Sequence, residues 1–179
     1  LMDKLVARTK RLVPADPLDP RTRLGALVSR KQRESVLGYV EDGKREGARV
    51  ACGGEAAGVG GKGWFMQPTI LDGVRNDMMV AREEIFGPVL AVIPFTEADE
   101  AVELANASIY GLAAGVWTRD VGKAHDVARR LQAGTVWINQ YNWYDSAAPF
   151  GGFKQSGFGR EGGRQGLRGY LRFRGALKQ

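Results

Sequence analysis

Two acidic residues running into an aromatic ring and a turn, Glu83-Glu84-Ile85-Phe86-Gly87-Pro88-Val89, are the stretch of this sequence best equipped for ligand chemistry. An ionised carboxylate accepts several hydrogen bonds, so Glu84 can take both hydroxyls of a vicinal diol such as a ribose. Phe86 offers a face to lie beside a planar ring. The apolar run Val89 to Phe95 that follows reads as a strand buried on both faces. In α/β sheets ligands collect at the loops at strand ends, which is where this acidic stretch would lie. The plain alternative is a solvated acidic turn with a core phenylalanine.

A second concentration of chemistry follows the short strand Thr135 to Ile138. The loop from Gln140 to Phe153 holds Tyr141, Trp143, Tyr144, Phe150 and Phe153. Such rings can wall a substrate tunnel, surround a quaternary ammonium, or plug the sheet edge as a hydrophobic cover. Composition does not choose among these. The remaining reactive residue types are sparse. Cys52, the single cysteine, has no cation, histidine or helix N-terminus beside it in sequence to make it a thiolate, and reads as a small apolar residue. It excludes an internal disulfide framework and fits a reducing, cytoplasmic setting. His125 is the only histidine and has no cysteine pair near it, so no metal site is expected.

The sequence twice spells G-x-G-x-x-G, at Gly58 to Gly63 and at Gly157 to Gly162. A dinucleotide fingerprint needs a strand before it and a helix after it, so that helix amides meet the pyrophosphate. Trp64-Phe65-Met66 follows the first, and a loop precedes the second. The first is expected to be a flexible loop between strands, and neither match carries weight.

Residues 3 to 12 predict a helix, and Pro14 to Pro20 forbid regular structure. Ser29-Arg30-Lys31-Gln32 reads as a capping box opening a helix with Val36, Leu37 and Val40 on its apolar face, ending near Gly47. Arg49 to Cys52 and Trp64 to Leu71 are short strands, the second interrupted by Pro68. Asp77 to Arg82 is a helical turn that delivers Glu83 and Glu84. Beyond Phe95, Thr96 to Asp99 caps a helix to about Ala107, with Ala101, Val102 and Leu104 inward. Leu112 to Trp117 is a strand, Asp120 caps a helix from Val121 to Leu131, and Gly134 is its stop. Strand, helix, strand, helix, strand is the rhythm of βαβ crossovers. The expected class is therefore α/β, a βαβ-type mostly parallel sheet flanked by helices. Gly162 to Gly169 reads as helical, and Tyr170 to Leu177 as an extended strand with unpaired edges, suited to joining another sheet.

The formal charge is +6. Lys154, Arg160, Arg164, Arg168, Arg172, Arg174 and Lys178 oppose one acid, Glu161, so the tail holds the whole excess and the residues before it balance. Arginines at 160, 164, 168 and 172 would stack like charges on one helical face, which calls for a neutralising surface outside the segment. Charge runs are ordinarily solvated or paired within an assembly, so no nucleic-acid partner is expected. No apolar run approaches the 18 residues of a membrane span, so no membrane partner is expected either.

Taken in order, Glu83-Glu84-Ile85-Phe86-Gly87-Pro88-Val89, Tyr110-Gly111-Leu112-Ala113-Ala114, Ala133-Gly134-Thr135-Val136-Trp137-Ile138-Asn139, and Pro149-Phe150-Gly151-Gly152 with Lys154, Ser156-Gly157 and Gly159-Arg160-Glu161 resemble the C-terminal portion of NAD(P)-dependent aldehyde dehydrogenases. The resemblance implies that a cysteine thiolate attacks an aldehyde, that hydride passes to NAD or NADP, and that a glutamate-activated water hydrolyses the thioester. It implies that Glu84 binds the nicotinamide ribose, that Phe86 packs against it, and that Phe150, Tyr144 and Trp143 line the aldehyde tunnel. The family's nucleophile, base and oxyanion-stabilising asparagine precede the region matched by Leu1, and Cys52 aligns with none of them. The implied division is a catalytic-domain part over residues 1–168 and an oligomerisation arm over 169–179. A fragment inactive alone, acting in a homo-oligomer, is the expectation. A catalytically inactive binding or assembly module using the basic tail is the alternative.

Overall fold

A computed structural model describes residues 1–172 of the chain, which fold as two units, Leu1–Pro94 and a second beginning at Phe95. The first opens with helix α1 (Met2–Thr9). Asp16 and Asp19 then fold back on the amides of Leu18 and Arg21, both at 2.9 Å, so the proline-rich stretch is a series of turns. Helix α2 (Arg30–Arg45) starts where Ser29 accepts the Gln32 amide at 3.1 Å, and buries Val36 and Val40. Strands β1 (Arg49–Cys52), β2 (Ala56–Ala57), β3 (Phe65–Met66) and β4 (Thr69–Asp72) follow, then the single turn α3 (Met79–Arg82) and strand β5 (Val89–Ala91).

Strand β4 is the centre of a three-stranded sheet, antiparallel to β1 and parallel to β5. β2 and β3 form a hairpin around Gly58 to Gly63, which is a loop as expected. The strand expected over Trp64 to Leu71 is two strands in different sheets. Pro68 lacks the N–H that a continuous ladder needs, so the chain changes partners there. Val40, Ala48, Leu71, Val74, Met78 and Val80 form the core of this unit, with Val89, Ala91 and Ile93 packed on it.

The run Val89 to Phe95 is not the fully buried strand its composition suggests. Only Val89–Ala91 is strand, Leu90 is 45% exposed, and Phe95 is exposed too. β5 ends the strand order of its sheet, and side chains alternate along a strand. Positions 89 and 91 therefore reach the core while 90 turns away.

The second unit contains helix α4 (Ala98–Asn106), strands β6 (Tyr110–Gly111) and β7 (Ala113–Val116), helix α5 (Val121–Arg130), strands β8 (Thr135–Ile138) and β9 (Phe153–Lys154), and helix α6 (Gly163–Arg168). β7 and β8 are a parallel pair joined through α5, in register from Ala113 with Thr135 to Val116 with Ile138. This is the crossover that the strand-helix-strand rhythm predicts for its last two strands, and the fold is α/β; the parallel pairing of β4 with β5 is not part of that rhythm. The antiparallel pairings of β1 with β4, β2 with β3 and β6 with β9 are additions that rhythm does not reveal.

Asp120 caps α5 through the Lys123 amide at 3.0 Å. At α4 the chemistry runs the other way. Glu97 makes no side-chain cap, and the Glu100 carboxylate reaches back to the Thr96 amide and hydroxyl at 2.8 and 2.7 Å. Arg130 of α5 ties Asp99 of α4 at 2.8 Å and Asp126 at 3.2 Å, and Asn106 bridges the Arg130 carbonyl and the Gln132 amide, both at 2.8 Å.

Three further expectations are corrected. Gly134 is not a left-handed helix stop, because α5 ends at an extended Leu131; its lack of a side chain serves a close approach to Gly151. The arginine row does not share a helical face. Gly162, at φ 71°, starts α6 afresh, so only Arg164 and Arg168 stand on it, while Arg160 turns its guanidinium onto the carbonyls of Gly152 and Gly159. Tyr170 lies in a turn and Leu171 and Arg172 are not strand. The rest of the expected arm lies outside the described residues.

Candidate functional site

The loop that carries Glu84 and Phe86 is gripped from beneath by α2. The Gln32 side-chain amide donates to the carbonyls of Ile85 and Phe86 at 3.2 and 3.0 Å. The Tyr39 hydroxyl donates to the Glu83 carboxylate at 2.7 Å. Gly87 crosses Val36 so closely that a Cβ there would lie 2.6 Å from the valine methyls, and the Thr69 amide holds Pro88 O at 2.8 Å.

These grips settle the loop's conformation. Phe86 sits at φ 53°, a left-handed geometry that disfavours any side-chain-bearing residue and persists only where its surroundings impose it. The ring is then 70% exposed rather than part of the core, which removes the core-phenylalanine alternative. Of the paired acids, Glu83 is turned to Tyr39. Glu84 is exposed, and its carboxylate has no hydrogen-bond partner among the described residues. The loop thus presents one free acceptor and one open ring on a fixed backbone, an arrangement that fits a diol next to a planar group.

Sequence reasoning missed Gln32, Val36 and Tyr39 as parts of this site. It placed Gln32 in a capping box, but only half of the box forms. Ser29 accepts the Gln32 amide, while the Gln32 side chain goes to residues more than fifty positions away. Only the spacing 32, 36, 39, one stripe of a helix, was visible beforehand, and a stripe alone does not name its partner.

In the second unit the aromatic loop divides into two roles. Asn139, at φ 54°, ends β8 and clasps Thr118 through both its amide atoms, each at 2.9 Å. Trp137 is buried and donates its indole N–H to Trp143 O at 2.7 Å. Tyr141 and Tyr144 pack edge-on to Trp137, with centroids at 4.9 and 5.5 Å, so these rings do cover the strand end as a plug. Beyond them Tyr144 meets Phe150 edge-to-face at 5.1 Å and 83°. Phe150 is fixed by reciprocal backbone hydrogen bonds with Glu161, both 2.7 Å.

Trp143, Tyr144 and Phe150 line one cleft of about 580 Å³ together with Thr135, Asp145 and Glu161. The rings of Trp143 and Tyr144 remain 72% and 55% exposed, so π faces are available to a ligand there. The structure therefore brings together the three residues expected to bind substrate. Phe153 is elsewhere, on β9 with the Arg160 guanidinium 5.1 Å over its ring.

Cys52 is half-buried at the end of β1, and His125 is exposed on α5. Among the described residues no group of histidine, cysteine and carboxylate side chains could hold a metal, and no helix is long and apolar enough to cross a membrane.

The sequence pattern described as the aldehyde dehydrogenase family matches residues 1–175. The betaine aldehyde dehydrogenase of Brucella anthropi is 50% identical over 171 residues, covering 94% of this chain and 35% of that protein. The NAD+ complex of aldehyde dehydrogenase from Bacillus cereus superposes with a TM-score of 0.89 at 52% identity, over 94% of this chain and 34% of that one. An indole-3-acetaldehyde dehydrogenase of P. syringae, solved with NAD+ and IAA, gives 0.92 at 47% identity over 94% and 34%. The chain spans about a third of the length of these relatives. With the family pattern running through nearly every residue and relatives near half identity in both sequence and structure, this chain belongs to the aldehyde dehydrogenase family.

Proposed function

We propose that these residues supply cofactor and substrate contacts to an NAD(P)-dependent aldehyde dehydrogenase whose nucleophilic cysteine lies in other polypeptide. The observation that carries this reading is the loop on α2, where four successive residues, Ile85 to Pro88, are held along the backbone, Tyr39 holds the Glu83 side chain, and the Glu84 carboxylate is left unengaged beside an open Phe86. Glu84 accepts the two hydroxyls of the nicotinamide ribose, and Phe86 packs against the same end of the cofactor. When bound, the nicotinamide supplies the acceptor for the hydride released as a cysteine thiohemiacetal becomes a thioester. Trp143, Tyr144 and Phe150 hold the aldehyde by its non-reacting end, which uses binding remote from the carbonyl to orient it. Relatives named betaine aldehyde dehydrogenases, and the exposed π faces of Trp143 and Tyr144, support a small aldehyde with a cationic end as the substrate class. The chain acts within a cytoplasmic homo-oligomer.

The test is Glu84→Ala in the complete dehydrogenase. Because this side chain is exposed and unpaired, folding is unaffected, and the KM for NAD or NADP rises about tenfold or more, as expected for losing charge-assisted hydrogen bonds. An unchanged cofactor KM refutes the assignment.

A further inference from the structure

We infer that one stripe of α2, Gln32, Val36 and Tyr39, is the positioning device that holds the cofactor loop in its strained, binding-competent form. The inference rests on the reading of Glu84 and Phe86 as cofactor contacts and deepens it. Residues at i, i+4 and i+7 lie on one face of a helix, one above the other. Here each of the three meets a successive part of the loop. Tyr39 takes Glu83 at 2.7 Å, Gln32 takes the carbonyls of Ile85 and Phe86 at 3.2 and 3.0 Å, and Val36 seats Gly87.

The three grips have different consequences. Both hydrogens of the Gln32 amide group are directed at adjacent carbonyls. Consecutive carbonyls in an extended strand point to opposite sides, so a single donor nitrogen can serve both only if the chain turns between them. The turn is the left-handed Phe86 at φ 53°. Gln32 therefore selects the geometry that lifts the Phe86 ring out of the core. Tyr39 acts on the choice between two neighbouring acids. By engaging Glu83 it turns that carboxylate toward α2, while Glu84, one residue on, stays exposed and unengaged among the described residues. Val36 fixes the height of the loop, since Gly87 has no room for a side chain above it.

Gln32 and Tyr39 are thus positioning residues, acting through Glu84 and Phe86. Two readouts test them. In the 179-residue chain, amide hydrogen exchange of residues 83–89 should quicken about fivefold to tenfold in Gln32→Met, which keeps the volume and loses the donors, and in Tyr39→Phe. Gln32→Lys, which keeps a donor at similar reach, should restore protection. In the complete enzyme the same Gln32→Met and Tyr39→Phe changes should raise the cofactor KM by a similar factor with kcat at saturating cofactor unchanged. In a Glu84→Ala background they should add little, because the group being positioned is gone. Unchanged exchange in both Gln32→Met and Tyr39→Phe overturns the positioning role. Faster exchange together with a cofactor KM insensitive to Glu84→Ala leaves the device standing and overturns the cofactor assignment instead.

Discussion

A Cβ built on Gly134 would lie 1.6 Å from the carbonyl oxygen of Gly151, well inside any van der Waals separation. Gly134 immediately precedes β8 and Gly151 follows Phe150, so this crossing of two backbones sets where the Phe150 ring stands relative to Trp143 and Tyr144. Gly134→Ala must push the 149–152 segment away. The expected outcome is a loss of about 3 kcal/mol or more in unfolding free energy, from overpacking against backbone that cannot rotate aside. Thermal or denaturant unfolding checks it, and a wild-type midpoint would contradict the crossing.

The cleft walls allow a separate test of substrate class. If Trp143 and Tyr144 receive a cation through their π faces, betaine aldehyde should be bound more tightly than its neutral isostere 3,3-dimethylbutanal by about fivefold or more in KM. Trp143→Leu should erase that preference while sparing the cofactor KM. Equal KM values for the two aldehydes in the unsubstituted enzyme would point to an apolar wall that reads shape alone.

Cys52 carries no part of the proposed chemistry. Aldehyde-dependent NADH formation by the isolated chain should be undetectable. Cys52→Ala in the complete enzyme should leave kcat/KM within about twofold of wild type, as for a small half-buried side chain replaced by a slightly smaller one. Turnover by the isolated chain that vanishes in Cys52→Ala would reverse the assignment of the nucleophile.

One acid-sensitive contact lies at the start of α4. The Thr96 amide and hydroxyl donate to Glu100 and hold its carboxyl below the ordinary value of 4.5. A carboxylate whose folded pKa is depressed binds fewer protons folded than unfolded. It therefore adds stability above the unfolded pKa, and that increment is lost as pH falls through the folded one. Glu100→Gln removes this contribution, so wild type and variant should differ at neutral pH and converge as pH falls well below 4.5. Melting curves collected across that range check the convergence, and a gap that widens toward acid would contradict it.

Several elements were legible from the sequence because their causes are local. Ser29 and Asp120 each satisfy an amide three residues on, Pro68 cannot donate to a ladder, and the strand-helix-strand rhythm of residues 113–138 leaves few ways to pair. Leu90 was misread because composition cannot tell a central strand from the last one in a sheet, and that depends on which neighbours arrive. Gly134 was misread because a chain turn and a backbone crossing call for the same residue.

The identities of Glu84, Phe86, Trp143, Tyr144 and Phe150, and with them the kind of chemistry available, follow from residue types and order alone. Which of the two acids is free, that Phe86 faces outward, and that three rings of a five-ring loop share a cleft were decided only by the folded chain. Those outcomes depend on groups not adjacent in sequence: Tyr39 beside Glu83 and Gln32 beneath Phe86, forty-four and fifty-four residues apart, and Glu161 eleven residues from Phe150. A hydrogen bond across forty or fifty residues has no local signature, because its partners are chosen by packing rather than by spacing.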